Sequence, residues 1–329
     1  MTYTIGSLIE ASDYNTFTTT PNGLNDIWAT GATDKGWGQS GFTSASIAST
    51  VTATQWAQLV NNLGSSGSQT NTALTSRTAP TVGDTISILA ALSADITSVT
   101  TNRGNAAASG TEYGTFSGTT SKTSATGSGQ SAWTITFTHT VTFPSADQAR
   151  YFWNAGGIVR LKYGKSSTGT DNDPEWNALA GYCGTINLTG RVAGAAQTIA
   201  GQSYTGTTRL SGSGGTQTTL ATTTGWYNLT GSPTTIFKLN NATSPYTGEF
   251  IQTTATATSS TVLTLVTTWS DDGSSGAGRS SNISGGTDTA SPTTTITGTA
   301  PTTLVTYLPP ATTYLTDSWG TPTIAASVA

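Results

Sequence analysis

Between Trp133 and Phe143 the chain alternates without a break: Trp133, Ile135, Phe137, His139, Val141 and Phe143 hold the odd positions, and threonine holds every even one. Successive side chains on a strand point to opposite faces, so this run reads as a half-buried antiparallel strand with one apolar face and one polar, uncharged face. The apolar face must be covered by another layer. Charged residues make up only 9% of the 329, against roughly 25% in an ordinary soluble domain. Threonine, serine and 38 glycines take their place. Nine Trp, eleven Tyr and eight Phe argue against a disordered chain, because disordered segments are poor in aromatics.

Further strands are expected at 158–163, 184–190, 225–229, 234–239, 248–257 and 261–269, and the tail containing Pro309-Pro310 and Ser318–Pro322 reads as an extended edge segment. Two short helices interrupt them. Ser145 and Gln148 form a capping box ahead of Tyr151 and Phe152, and Asp173-Pro174-Glu175 supplies an N-cap, an N1 proline and a first-turn acid. The expected fold is mainly β with a helical N-terminal part: a β-sandwich with small inserted helices, preceded by short amphipathic helices.

The N-terminal part is organised around residues 52–64. Thr52 and Gln55 make a capping box, and Trp56, Leu59, Val60 and Leu63 form one apolar stripe at helical spacing, with Gly64 as the expected left-handed stop. A helix this short needs a docking partner. Ser12 or Asp13 is expected to cap a helix carrying Tyr14 and Phe17, and Leu24–Ala29 is a short helical piece with Ile27 and Trp28. After a polar linker (65–80), a helix from Asp84 to Arg103 spaces Leu89, Leu92, Ile96 and Val99 by three, four and three. That pattern suits either a short coiled coil or packing within one domain. The expected division is 1–64 as a helical attachment region, 65–110 as linker and amphipathic helix, and 111–329 as the β-sandwich. Trp56, Leu59, Val60, Leu63, Leu89, Leu92, Ile96 and Val99 are the expected assembly interface.

Catalytic chemistry finds few residues to work with. A net charge of −4 with scattered Lys and Arg argues against nucleic acid as a partner, and no apolar run is long enough for membrane insertion. The N-terminus lacks the pattern of a secretory signal, so release by lysis is expected. A Ser-His-Asp triad needs a histidine base; His139, the single histidine, falls in phase with the apolar side of its strand. One histidine and one cysteine, Cys183, do not make a zinc site. Gly36–Gly41 matches G-x-G-x-x-G without the strand and helix that a dinucleotide site requires. Gly164-Lys165-Ser166 lacks the glycine of a phosphate loop, having Val159 there. The acidic clusters Asp171/Asp173/Glu175 and Asp271/Asp272 could hold calcium weakly, through Asp171, Asp173, Asp271 or Asp272. Trp226, Tyr227 and Tyr246 could stack on a glycan or simply pack in a core. No enzyme activity and no cofactor are expected.

Several stretches also follow a familiar pattern: Ile9-Glu-Ala-Ser-Asp13-Tyr14-Asn15, Gly36-Trp37-Gly38-Gln39, Val51-Thr-Ala-Thr-Gln55-Trp56, Ala146–Gly157, and Ser318-Trp-Gly-Thr-Pro322. Together they resemble structural proteins of tailed bacteriophages, with Trp37 where tyrosine is usual. The resemblance implies a non-enzymatic virion appendage: a tail or neck fibre, a collar or baseplate piece, or a head decoration. Such a protein would assemble in the host bacterial cytoplasm as a homo-oligomer, with itself and other virion proteins as partners. The alternatives are a receptor-binding fibre recognising host-surface polysaccharide, and an adhesin or polysaccharide depolymerase.

Overall fold

The computed structural model describes residues 10–19, 21–46, 49–84, 91–106, 118–122, 124–128, 132–166, 173–190, 197–199, 202–244, 246–271, 293–295 and 299–329. Four helices come first: α1 (Ala11–Thr18), α2 (Asn25–Trp28), α3 (Ala53–Gln69) and α4 (Leu92–Asn102). Then follow β1 (Thr120–Ser121), β2 (Ser124–Ser128), β3 (Ala132–Thr142), α5 (Ala146–Asn154), β4 (Ile158–Gly164), α6 (Asp173–Cys183) and β5 (Thr185–Thr189). Next are β6 (Gln197–Ile199), β7 (Gln202–Tyr204), β8 (Thr207–Leu210), β9 (Thr216–Leu220), β10 (Thr234–Asn240) and β11 (Phe250–Ser259). The chain closes with β12 (Val262–Ser270), β13 (Thr293–Thr295), β14 (Thr302–Leu308) and β15 (Thr323–Val328).

Apart from β6 and β7, which pair with each other, the strands form two antiparallel layers. One is a five-stranded sheet in the order β1-β14-β4-β5-β8. The larger sheet runs β13-β2-β3-β12-β11-β10-β9, with β15 also paired to β3. β15 and β2 share one edge of β3, β15 along 137–142 and β2 along 132–133. The alternation seen in the sequence sets the layering: Ile135, Phe137, Val141, Leu263, Leu265 and Trp269 are all buried. Their threonine neighbours Thr134, Thr136, Thr138 and Thr140 are at least partly exposed.

Hydroxyl groups as well as apolar ones join the two layers. Tyr163 Oη of β4 lies 2.7 Å from Thr253 Oγ1 of β11, which lies 2.8 Å from Thr267 Oγ1 of β12. Trp269 Nε1 donates to Thr303 Oγ1 of β14 at 3.4 Å, and the Tyr163 and Phe237 rings stack at 6.1 Å. A buried hydroxyl needs a partner, and here each layer supplies the other's. α6 inserts Trp176 between Trp133 (4.6 Å) and Trp269 (5.8 Å). α5 carries the chain from the larger sheet to the smaller one and buries Phe152 and Trp153 beside Phe143.

The helices before the sheets do not form a separate core. One contiguous apolar cluster runs from Tyr14, Trp56 and Val99 through the sandwich to Trp319. The Thr52–Gln55 capping box forms as expected, with Gln55 N donating to Thr52 Oγ1 (3.2 Å) and Thr52 N to Gln55 Oε1 (2.9 Å). The helix does not stop at Gly64. It continues to Gln69, and the left-handed residue is Asn71. Gly64 faces open space, while Gly67 leaves room for Leu74 as the chain folds back along the helix. Thr72 N then donates to Gly67 O at 2.8 Å. The polar linker therefore begins at residue 70.

Other boundaries move for local reasons. α1 starts at Ala11, because Glu10 takes the cap position and its N–H donates to Asp13 Oδ2 (2.8 Å). Asp84 closes a turn, accepting from Thr81 N and Oγ1 at 2.8 Å; α4 starts at Leu92, and residues 85–90, including Leu89, lie outside the described residues. The stretch expected as a strand at 225–229 is a short 3-10 turn over Trp226–Asn228. β8, β9 and β14 are strands the sequence reading did not assign.

Candidate functional site

Many of the described residues in the quoted motifs contact one another. Tyr14 packs edge-on against Trp56, ring centres 5.2 Å apart. Asn15 reads the backbone of an extended segment like a neighbouring strand: Nδ2 donates to Ala45 O (2.9 Å) and Oδ1 accepts from Ala45 N (2.8 Å). Asn25 repeats the device on Phe42, at 3.2 and 2.9 Å.

The Gly36-Trp37-Gly38-Gln39 loop is the centre of this junction. Gly36 (φ +87°) and Gly38 (φ +68°) have backbone angles that favour glycine, and a Cβ on Gly38 would run into the Tyr151 ring of α5. That close approach seats Trp37. Its Nε1 donates to Asn154 O (3.0 Å), and Asn154 Nδ2 returns a bond to Gly36 O (3.1 Å). Gln39 is buried and grips the segment before β15. Its Oε1 accepts from Thr316 N (2.9 Å) and Thr316 Oγ1 (2.7 Å), while Nε2 donates to Thr316 O (2.9 Å), Trp37 O (3.0 Å) and Ser318 Oγ (3.3 Å). Ser318 Oγ donates to Trp37 O (2.5 Å), and a Cβ on Gly320 would meet Gln148 Nε2 of α5 at 2.7 Å. The pattern in 36–39, 146–157 and 318–322 thus describes one buried joint among the helical part, α5 and the last strand. Asn154 and Ser318 fall within the quoted motifs, but neither they nor Thr316 is assigned a bonding role from sequence. The only local signal for them is an amide or hydroxyl beside glycines and tryptophans.

Titratable groups are mostly occupied with holding the chain together. Lys35 pairs with Asp26 (2.6 Å), Arg103 with Asp34 (2.6 Å) and Arg150 with Asp147 (2.8 Å). Arg77 pairs with Asp95, which also accepts from Thr75 N (3.1 Å). Of the calcium candidates, Asp271 is buried where its N–H donates to Trp133 O (2.9 Å). Asp173 opens α6, but its side chain, like Asp171 and Asp272, lies outside what is described. Among the described residues no three His, Cys, Asp or Glu side chains converge on a metal position. Burial pushes the Cys183 thiol well above its usual pKa, so it stays protonated and unreactive at neutral pH.

His139 is fully buried on the inner face of β3, beside Gly118. Burial lowers its pKa below 6.5; backbone groups at Gly118 and Thr303 oppose the shift. The folded chain therefore holds the ring neutral where the unfolded chain would protonate it. Stability from this site is fully present above about pH 6.5 and falls as the pH drops below the unfolded value toward the lower folded one. Urea midpoints at pH 7.5 and 5 should show a smaller acid loss for His139→Leu than for the parent chain. An equal loss in both would mean the ring is solvated.

The expected assembly interface needs correction. Trp56, Leu59, Leu63, Leu92, Ile96 and Val99 are buried within the single chain, where α3 and α4 pack with each other and α1. The stripes found their partners inside the molecule, so these side chains are not a free surface for another copy. Val60 alone of the described set stays half-buried. It borders a groove of about 560 Å³ along Gly64, Gly67 and residues 71–77. The glycan candidates change similarly. Trp226 stacks on Trp153 at 5.6 Å within the core, and Tyr227 Oη donates to Asn154 Oδ1 (2.6 Å) beneath the junction. The Trp226 ring is therefore not open to a sugar, while Tyr227 stays half-buried. Tyr246, in a 3-10 turn, remains half-exposed.

Compared with protein-family models, with curated proteins and with solved structures, the chain finds no match in any of the three.

Proposed function

We propose that this chain is a structural component of a tailed-phage virion, an appendage protein that works by assembling with copies of itself and with other virion proteins and by displaying its layered β-body. The observation that carries this reading is the junction. Each motif behind the phage resemblance is used to hold one part of the chain to another: Tyr14 to Trp56, Asn15 to Ala45, Trp37 to Asn154, and Gln39 to Thr316. A pattern made of packing and clamping residues marks an architecture, whereas a pattern built around an exposed reactive group would mark a reaction. Four acid–base pairs at scattered positions support the same view.

The test is direct. Antibodies raised against the purified chain should label intact tailed particles at a fixed position in immunoelectron microscopy of the lysate in which the protein is made. The chain should also co-purify with those particles through a density gradient at constant stoichiometry. Label found only on cell debris, with none in the particle band, would overturn the proposal.

A further inference from the structure

We infer that β15 is a self-association edge, through which two copies of this chain join their larger sheets across a two-fold axis at Ala326. The direction of its backbone follows from its pairing with β3. Thr136 and Ala329 exchange both backbone hydrogen bonds, at 3.0 and 2.9 Å. Stepping by two along the register, Ser327 faces Thr138, Ala325 faces Thr140 and Thr323 faces Thr142, so these residues also turn their backbone groups toward β3. Ile324, Ala326 and Val328 turn theirs the other way. Among the described residues β15 has no other ladder partner, and Ala325, Ala326 and Ser327 are exposed.

Exposed edges are usually guarded by charge, proline, a bulge or short length. The other edges of the two sheets have such cover. β1 has two residues and β13 three. β8 carries Arg209, which reaches Tyr182 O and donates to Gln217 Oε1 of β9 (3.1 Å). β9 is turned against β8, where Thr207 N donates to Ala221 O (3.3 Å). Thr323-Ile-Ala-Ala-Ser-Val328 has no charge and no proline.

The occupant that fits is a second β15. Laid antiparallel with Ala326 opposite Ala326, each strand sets Ile324 against the other's Val328, and all three outward N–H groups meet outward carbonyls. A register moved by two leaves some of those groups unpaired, so the two-fold arrangement is the one that uses them all. At the axis the side chains are methyl groups, small enough for close approach. A charged peptide would find no opposite charge along this strand, while an identical neutral strand meets no repulsion. An isologous contact of this kind closes on itself as a dimer. The outward Thr323, Ala325 and Ser327 would extend the threonine face of β3 across both copies. Nothing in this pairing depends on the chain being a virion component.

Light scattering and sedimentation velocity on the full chain read the result. The parent should show twice the 33.5 kDa chain mass at high concentration, falling toward the single-chain mass on dilution. Ala326→Pro removes one outward N–H without touching the ladder to β3, so it should give the single-chain mass, a two-fold drop, with unchanged far-ultraviolet circular dichroism. Ala326→Glu places two carboxylates together at the axis and should do the same, which covers the case in which proline disturbs the fold. A parent that stays at the single-chain mass at every concentration would overturn the inference, as would a doubled mass that survives both substitutions. Particle labelling is read separately, so either proposal can fail while the other stands.

Discussion

Replacing Gln39 with leucine is expected to lower the unfolding free energy by about 1–3 kcal/mol, the cost of leaving a buried polar group, here Trp37 O, without its partner. The side chain is nearly the same size, so the loss would come from hydrogen bonds and not from a cavity. Thr316 N and Thr316 O also lose their partner, but on an exposed residue where water takes its place. Gln39→Glu refines the test. It keeps an acceptor for Thr316 N–H but turns a second oxygen toward Trp37 O and Thr316 O, where Nε2 now donates. It too should destabilise, with the deficit easing as acid protonates the new carboxyl. Urea denaturation followed by tryptophan fluorescence measures both variants. A leucine variant within about 0.5 kcal/mol of the parent, the range of an ordinary surface change, would mean water satisfies the clamp and the joint is open.

Trp56→Ala should cost more, about 3–5 kcal/mol, by emptying a fully enclosed aromatic site. Trp56 is the contact shared by Tyr14 and Phe17, with ring centres at 5.2 and 6.3 Å, so α1 loses its main support when the ring is removed. Among the described residues Trp56 Nε1 finds no hydrogen-bond partner in its buried position. Trp56→Phe gives up that polar group along with some volume and should therefore cost much less than alanine. Equal melting temperatures for the parent and the alanine variant would show that the helix stripe is not docked where the structure places it.

How much of this could be read from residues alone depended on the range of the interaction. β3, β11 and β12 were legible because their period of two is written locally in threonine and apolar residues. The start of α3 was legible because a capping box is a four-residue contact. Its end was misread because glycine stops a helix only when the backbone needs a left-handed residue, and Asn71 fills that role while Gly64 continues the helix. The stripe from Trp56 to Leu63 correctly announced that it would be buried. It could not say by what, since α1 and α4 offer the same kind of surface that another copy would. Trp226 and Tyr227 lie among glycine and threonine, a turn-like setting that suggests exposure, but Trp153 covers one and Asn154 holds the other. The Gln39 clamp was least visible. Gln39 is in view as part of a motif and Thr316 is not, and no local rule links an amide to a backbone group so far along the chain.

That last separation also shapes how the molecule must be made. Gln39 and Thr316 lie 277 positions apart, so during synthesis the early loop leaves the ribosome long before its counterpart exists. Trp37 can find Asn154 earlier, but the Gln39 amide lacks Thr316 until that residue has emerged, and this clamp cannot close before then. Contacts this distant slow folding, because the loop entropy is spent before the bond repays it. A nascent chain halted before residue 316 would thus hold this loop through Asn154 alone, with the Gln39 clamp still open.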